Sequence, residues 1–283
     1  MDKSRTGKIG FQGAKGANSD IASADVFPNM EAVPCDTFED VFNALKKGDV
    51  DLAMIPIENT LAGRVADIHH LLPKSGTFII GEYFLPIHFD LMVLPGVKLE
   101  DIHTVFSHVH ALGQCRNIIR KHSWKAIVSG DTAGSAKLVS ESGDRTISAL
   151  APALAAEIYG LDTLAKNVED EDHNTTRFVI LSRDEVRAKQ EDGPVVTTFL
   201  FQVRNIPAAL YKAMGGFATN GVNMTKLESY QIGGSFSATQ FYADIIGHPD
   251  DKNVQLALEE LEFFCDELKI LGVYPASESK NRR

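Results

Sequence analysis

Short apolar runs in this chain keep ending in a small polar turn that opens a helix-like segment. Lys8–Phe11 runs into Gln12–Ser19, which carries Gly13 and Gly16. Leu52–Ile57 runs into Glu58-Asn59-Thr60, then Leu61-Ala62-Gly63 and a helix expected through Leu72. Val105-Phe106 runs into Ser107–Cys115, and Ala126–Val128 into Gly130–Ala136. Further strands are expected at Phe78–Tyr83, Ile87–Leu94 and Thr146–Leu150, and helices at Thr37–Lys47 and Pro152–Tyr159. Repeated strand, polar turn and helix predict an α/β region with mostly parallel strands. The strand ends of such sheets open on a crevice, so the polar turns can converge on one ligand.

The segment His173-Asn174-Thr175-Thr176-Arg177-Phe178 fits the same plan. Glu169–Asp172 lead into it and the apolar run Phe178–Leu181 follows. Hydroxyls, an amide and a guanidinium thus stand at the mouth of a short buried strand. A small anion can bind there; a capped loop before an edge strand is the alternative. Arg177 has an alternative of its own, an ion pair with Glu171 or Asp172 at the surface.

The other turns leave similar choices open. Gln12–Ser19 has neither the Lys-Ser/Thr pair of a phosphate loop nor the GxGxxG spacing of a dinucleotide fingerprint. It is a small-anion cradle or a plain strand-to-helix turn. Asn59 and Thr60 suit a helix N-cap and suit ligand contact equally. Ser107 and Gln114 lie two helical turns apart, and share a side if Ser107 caps the helix. Asp131 or Thr132 is expected to cap the helix that follows.

Charge and cysteine usage narrow the partners. With a net charge of -10 and a pI near 5.4, the chain lacks the basic face that nucleic acid requires. No apolar run is long enough to span a membrane, and the first residues lack a signal-peptide core. The three cysteines, Cys35, Cys115 and Cys265, have no CxxC spacing and read as reduced thiols of a cytoplasmic protein. Cys115 is a candidate nucleophile or a packed small hydrophobe. His69, His70, His108 and His110 do not assemble a metal set, so no metal or cofactor is expected.

Composition changes after a charged linker, Arg183–Pro194. Strands are expected at Val195–Val203, Met224–Tyr230, Phe236–Ile246 and Ile270–Tyr274, with a turn at Gly233-Gly234. Helices are expected at Pro207–Asn220 and Asn253–Leu268. This is a βαββαβ, ferredoxin-like unit. The tail from Ala276 is polar and expected to be disordered.

Taken together and in this order, Pro56–Thr60, Ser107-His108, Asp131–Gly134 and Thr175–Phe178 resemble the signatures of prephenate dehydratases. The βαββαβ unit is similar to that family's regulatory ACT domain. The resemblance implies a catalytic domain over 7–183 with a type II periplasmic-binding-protein-like fold. Its two subdomains would span about 7–84 plus 160–183, and 85–159. The ACT domain would span 195–276. By position, Thr176 matches the family's catalytic threonine, and Asn59, Ser107 and Gln114 its polar site residues. Thr60, Thr132, Ala133, Thr175, Arg177 and Phe178 fall in the motifs that would contact substrate.

The implied activity is conversion of prephenate to phenylpyruvate, water and carbon dioxide. Feedback by L-phenylalanine is implied at Ala208-Ala209-Leu210-Tyr211, Asn223, Glu228 and Ser229, in a homodimer or homotetramer. The sequence departs from the family at Val109-His110, where many members have Pro-Gln. It departs at Ala208–Tyr211, where a Gly-Ala-Leu-Val type is usual, and at Tyr230-Gln231, where Arg-Pro is usual. Arogenate dehydratase and a non-catalytic small-molecule sensor are the rival readings.

Overall fold

The computed structural model describes residues 2–204, 206–231 and 238–277. By its contacts the chain forms two compact units. One holds Met1–Val65 and Tyr83–Phe178, the other Ala66–Glu82 and Val179–Arg283.

The chain begins with β1 (Gly7–Gln12), α1 (Asn18–Val26), β2 (Met30–Cys35), α2 (Phe38–Lys47), β3 (Leu52–Asn59) and β4 (Gly63–Arg64). Next come α3 (Ala66–Ser75), β5 (Phe78–Pro86), β6 (Asp90–Val93), β7 (Thr104–Ser107), α4 (Val109–Gln114) and α5 (Arg116–Lys121). Then follow β8 (Lys125–Val128), α6 (Thr132–Ser142), β9 (Ile147–Ala151), α7 (Ala153–Tyr159), β10 (Asp162–Ala165) and β11 (Thr175–Ser182).

In the first unit β1 runs parallel to β2 and β3, with Ile9 opposite Ala32 on one side and Leu52 on the other. A second sheet has the order β10-β6-β9-β7-β8. Its β7 is parallel to β8 and β9, whereas β6 is antiparallel to β9 and β10. The interiors of β1 and β3 are buried on both faces, as parallel strands flanked by helices must be. Ile9, Phe11, Leu52, Met54, Ile55 and Ile57 have no exposed surface.

α2 illustrates how directly local chemistry sets an element. Thr37 and Asp40 form a reciprocal capping box, acids occupy the first turn and Lys46-Lys47 the last. Val41, Phe42 and Leu45 form the buried stripe, and the chain leaves the helix at Gly48.

The second unit contains β12 (Val195–Val203), α8 (Ala209–Thr219), β13 (Met224–Gln231), β14 (Ala238–Ile246), α9 (Lys252–Phe263) and β15 (Cys265–Pro275). These make the expected βαββαβ order, with strands arranged β13-β14-β12-β15 and all neighbours antiparallel. β5 then adds to β15 in parallel at Ile79 and Gly272. A Cβ on Gly272 would lie 2.2 Å from the Ile79 carbonyl oxygen, so only glycine permits this approach.

Phe199, Phe201, Phe217 and Phe241 build a dry core under α8 and α9. The opposite face of the same strands is polar: Thr198 donates to Asp244 at 2.6 Å and lies 2.7 Å from the Tyr274 hydroxyl. His69 of α3 bonds the Tyr230 hydroxyl there and meets the Tyr242 ring edge-on.

The last helix departs from expectation. It ends at Phe263, and β15 already begins at Cys265. The apolar spacing Leu261, Cys265, Leu268 continues a helical stripe, but pairing with β12 competes for the same backbone. From Val203 opposite Cys265 to Val195 opposite Pro275, the ladder wins. The turn expected at Gly233-Gly234 and most of the tail lie outside the described residues.

Candidate active site

Asn59 ends β3, and its side chain is aimed by the backbone that follows. Its Oδ1 accepts from the amides of Leu61 at 3.0 Å and Ala62 at 2.8 Å, an Asx turn. Gly63-Arg64 then pairs back on Glu58-Asn59, and α3 starts only at Ala66. Asn59 therefore caps no helix, contrary to one of the sequence expectations, because the short β4 intervenes. Its Nδ2 donates to Asn174 Oδ1 at 2.7 Å, Thr176 Oγ1 at 2.9 Å and the Thr175 carbonyl at 3.2 Å.

Thr60 fastens β3 to the start of β11. Its amide donates to the Thr175 carbonyl at 2.9 Å, its hydroxyl donates to the His173 carbonyl at 2.9 Å, and Thr175 N donates to that hydroxyl oxygen at 2.9 Å. Neighbouring residues in a strand face opposite sides. Thr176 accordingly meets Asn59, while Arg177 on the other side meets Glu58 at 3.2 Å. Arg177 is buried, with Phe84 beneath its guanidinium at 5.9 Å. The alternative of a surface pair with Glu171 or Asp172 is overturned, since the strand carries Arg177 inward. Phe178 is also wholly interior.

Gln114, the last residue of α4, joins the same cluster: Asn174 Nδ2 donates to its Oε1 at 2.7 Å. Four neutral side chains, Asn59, Asn174, Gln114 and Thr176, are thus linked by hydrogen bonds. Asn174 is the member that the sequence reading left without a role. It was visible only as an amide inside the His173–Phe178 segment.

Ser107 stands elsewhere. It is the last residue of β7, and its fully buried hydroxyl donates to the Leu150 carbonyl at 2.6 Å. The residue at the N-cap of α4 is His108, so the condition under which Ser107 and Gln114 would share a side of this helix is not met. Burial and the nearby His110 hold the His108 imidazole below its ordinary pKa, against an opposing pull from Asp131. Asp131 caps α6, accepting from the Gly134 amide at 2.6 Å. Thr132 is half-buried in the first turn of that helix, and Ala133 packs into the apolar cluster with Ala136 and Val139.

The acidic lead-in proves to be structural. Glu169 receives the Phe89 amide and bonds His88 at 2.6 Å. Asp170 accepts from the amides of Arg116 and Asn117, at the N-terminus of α5. The Asp170 amide in turn donates to the Gln114 carbonyl at 2.6 Å. These bonds tie the segment to the end of α4, where Gln114 sits.

The glycine turn is likewise committed internally. Gly13 N donates to the Cys35 carbonyl at 3.0 Å, and Gly16 N to the Asp20 carboxylate at 2.8 Å. A Cβ on Gly16 would lie 2.9 Å from Ala155 Cα, so the glycine serves backbone approach, not an anion. Cys115 is fully buried, and burial beside Asp170 and Glu169 pushes its thiol well above the usual range, which disqualifies it as a nucleophile. Among the described residues, no three His, Cys, Asp or Glu side chains converge as a metal set. Nor is any helix among them long and apolar enough to cross a membrane.

In the second unit Ala208 precedes α8 with φ 61°, a left-handed conformation that suits glycine. Ala209 is buried, Leu210 packs on the aromatic core, and Tyr211 is 81% exposed. Asn223 is exposed before β13, while Glu228 and Ser229 lie within that strand opposite Tyr242 and Phe241.

The chain has clear relatives. Residues 9–186 match the family model for prephenate dehydratase. A bifunctional N-acyl-homoserine lactone acylase/prephenate dehydratase of Komagataeibacter europaeus is 48% identical, covering 97% of this chain and 98% of that protein. Arogenate dehydratase/prephenate dehydratase 1 of Arabidopsis thaliana is 38% identical over 95% of this chain and 72% of its own length. Among solved structures, the prephenate dehydratase of Arthrobacter aurescens in complex with L-Phe superposes with a TM-score of 0.87 at 30% identity, covering 95% of this chain and 90% of that one. The neutral cluster at the end of β3, the ordered motifs and these relatives lead to one conclusion: the chain is an enzyme of the prephenate dehydratase family.

Proposed function

We propose that this enzyme converts prephenate to phenylpyruvate, water and carbon dioxide, with Thr176 at the leaving hydroxyl. One observation carries the reading. Thr176 Oγ1 accepts a hydrogen bond from Asn59, so its own hydrogen is left to point at a ligand. The ring gains aromaticity when the carboxylate leaves as carbon dioxide and the hydroxyl departs as water. No covalent intermediate is needed. The protein has to assist departure of the hydroxyl by hydrogen bonding and proton relay, and hold the ring carboxylate in a site of low polarity. A cation fixed on that carboxylate would oppose the reaction, because its charge vanishes in the transition state.

The neutral cluster of Asn59, Asn174, Gln114 and Thr176 suits that demand. Arg177 is engaged with Glu58, which favours the first-turn amides of Thr132 and Ala133 for the retained pyruvyl carboxylate. Ser107 already donates to Leu150 and keeps only lone pairs, useless to an anion, so it shapes the turn that leads to Gln114.

The proposed catalytic domain spans 7–183, built as two periplasmic-binding-protein-like subdomains, and the proposed regulatory ACT domain spans 195–276. L-phenylalanine is the proposed effector, with its carboxylate at the start of α8 near Ala208–Tyr211 and the rest against Asn223, Glu228 and Ser229. The Arthrobacter aurescens prephenate dehydratase, solved in complex with L-Phe, supports this. A homodimer or homotetramer in the cytoplasm is proposed with it.

The test is incubation of the purified protein with prephenate, without added metal, following phenylpyruvate with and without phenylalanine. Conversion suppressed by phenylalanine supports both parts; conversion of arogenate alone replaces the substrate, as plant relatives named arogenate dehydratases make reasonable. Conversion of neither leaves the sensor. A second activity, cleavage of N-acyl homoserine lactones, rests on the relative named for both. Release of homoserine lactone from such a substrate would establish it.

A further inference from the structure

Asn174 lies between two other amides and is 3% exposed. A side-chain amide has nearly the same shape at both ends, so something must set the direction of a chain of them. Here that is the backbone after β3. The amides of Leu61 and Ala62 can only donate, and they face Asn59 Oδ1. The other end of Asn59 is therefore its nitrogen. The Asn174 atom facing that nitrogen must be the oxygen, at 2.7 Å, and its own nitrogen then faces Gln114 at 2.7 Å. Gln114 has to answer with Oε1, which leaves its Nε2 for a ligand. Thr176, whose oxygen accepts from Asn59, keeps its hydroxyl hydrogen for the same purpose.

We infer that Asn174 is a positioning residue that transmits this polarity, so that Gln114 and Thr176 both present donors to the substrate. The inference rests on the proposed role of Thr176. It fits a ligand made of carboxylates, a ketone and a hydroxyl, whose oxygens are nearly all acceptors. Asn174 touches no reacting atom; it decides which end of Gln114 does.

Asn174→Asp tests this with almost no change of shape. A carboxylate can accept from Asn59 but cannot donate to Gln114. Gln114 then turns its nitrogen inward and shows the substrate an oxygen. Removal of one such donor corresponds to about a hundredfold in kcat. When the new carboxyl takes up a proton it regains a donor, so kcat of the variant should recover as pH falls, with KM changing far less. The charged or titratable groups around the cluster include His110, one turn before Gln114 on α4, Asp170 on the α5 amides, Cys115 beside Gln114, Arg177 with Glu58, and His173 near Glu171 and Asp172. The same profile of the unaltered enzyme subtracts their contribution.

Gln114→Glu keeps the bond from Asn174 and removes the outward donor. It should reproduce both the loss and the acid recovery, and guards against a folding defect in the first variant. Thr176→Ala is the control for the site itself. If it abolishes turnover while both other variants keep the kcat and pH profile of the unaltered enzyme, the inference about Asn174 is overturned and the site stands. If Thr176→Ala leaves kcat unchanged, the site reading falls, and the inference with it.

Discussion

The first unit holds a half-buried polar network of neutral groups, two asparagines, a glutamine and a threonine, oriented by backbone amides. The second unit buries ionisable ones: Asp244 and Tyr274 around Thr198, and His69 bonded to Tyr230. A neutral network has no protonation state to maintain, so the direction of its hydrogen bonds stays fixed as a ligand's charge changes. An ionisable network is costly to bury unless it is hydrogen-bonded, and once bonded it pins the elements that carry it. Here it joins β12, β14 and β15, and holds α3 through His69 to β13. One network is suited to chemistry, the other to holding a sheet together.

The largest expected effect breaks or sustains the first half of that contrast. Thr176→Ala should lower kcat on prephenate by about a thousandfold, about 4 kcal/mol, with KM little changed. A change in KM alone would remove Thr176 from the chemistry. Next comes the ion pair behind the neutral face. Arg177→Met leaves Glu58 without the bond it receives at 3.2 Å, and urea unfolding should show a loss of about 2–3 kcal/mol, tempered by the partial exposure of Glu58.

Thr198→Val sharpens the comparison from the other side. It strips a hydroxyl from Asp244 and Tyr274, and should cost about 2 kcal/mol of stability while kcat stays unchanged. A loss of turnover there would show that the second network also serves the reaction.

His108 supplies a pH dependence in the first unit. Its folded pKa lies below the ordinary value near 6.5, so the unfolded chain binds a proton first as pH falls. Stability should therefore decline below about pH 6.5, and His108→Gln should flatten that part of the curve in urea titrations. The smallest effect is at Ala208. Its left-handed backbone strains a Cβ, and Ala208→Gly should add about 0.5 kcal/mol, the relief being partly offset by the freedom glycine gains when unfolded. The melting temperature reads it.

Much of the fold was legible because local chemistry and tertiary structure agree. Thr37, Asp40 and the stripe Val41, Phe42, Leu45 specify α2 by themselves, and the β-branched and aromatic run at Val195–Val203 specifies β12. The order of polar turns carried the family. What was not legible depended on partners distant in sequence. Cys265–Leu268 continues a helical stripe, and only the ladder to β12 makes it strand. Ser107 looks like a cap until Leu150 takes its hydroxyl. Glu169 and Asp170 look like a solvated charge run until the amides of Phe89, Arg116 and Asn117 meet them. Asn174 looks like a loop residue because its partners, Asn59 and Gln114, stand 115 and 60 positions away.

Thr60 carries a consequence of another kind. Thr175 and Thr176 are chemically identical neighbours, and either could supply a hydroxyl to Asn59. A slip of β11 by one position would still offer Asn59 a threonine, but would turn the guanidinium of Arg177 from the interior toward the neutral face. Nothing in the side chains of the pair forbids that error. The three bonds of Thr60 to His173 and Thr175 do, by counting the strand into place. Thr60 thus acts as an index mark: Thr60→Val would remove no group from the cluster, yet would leave the enzyme less able to tell which of two twins it is using.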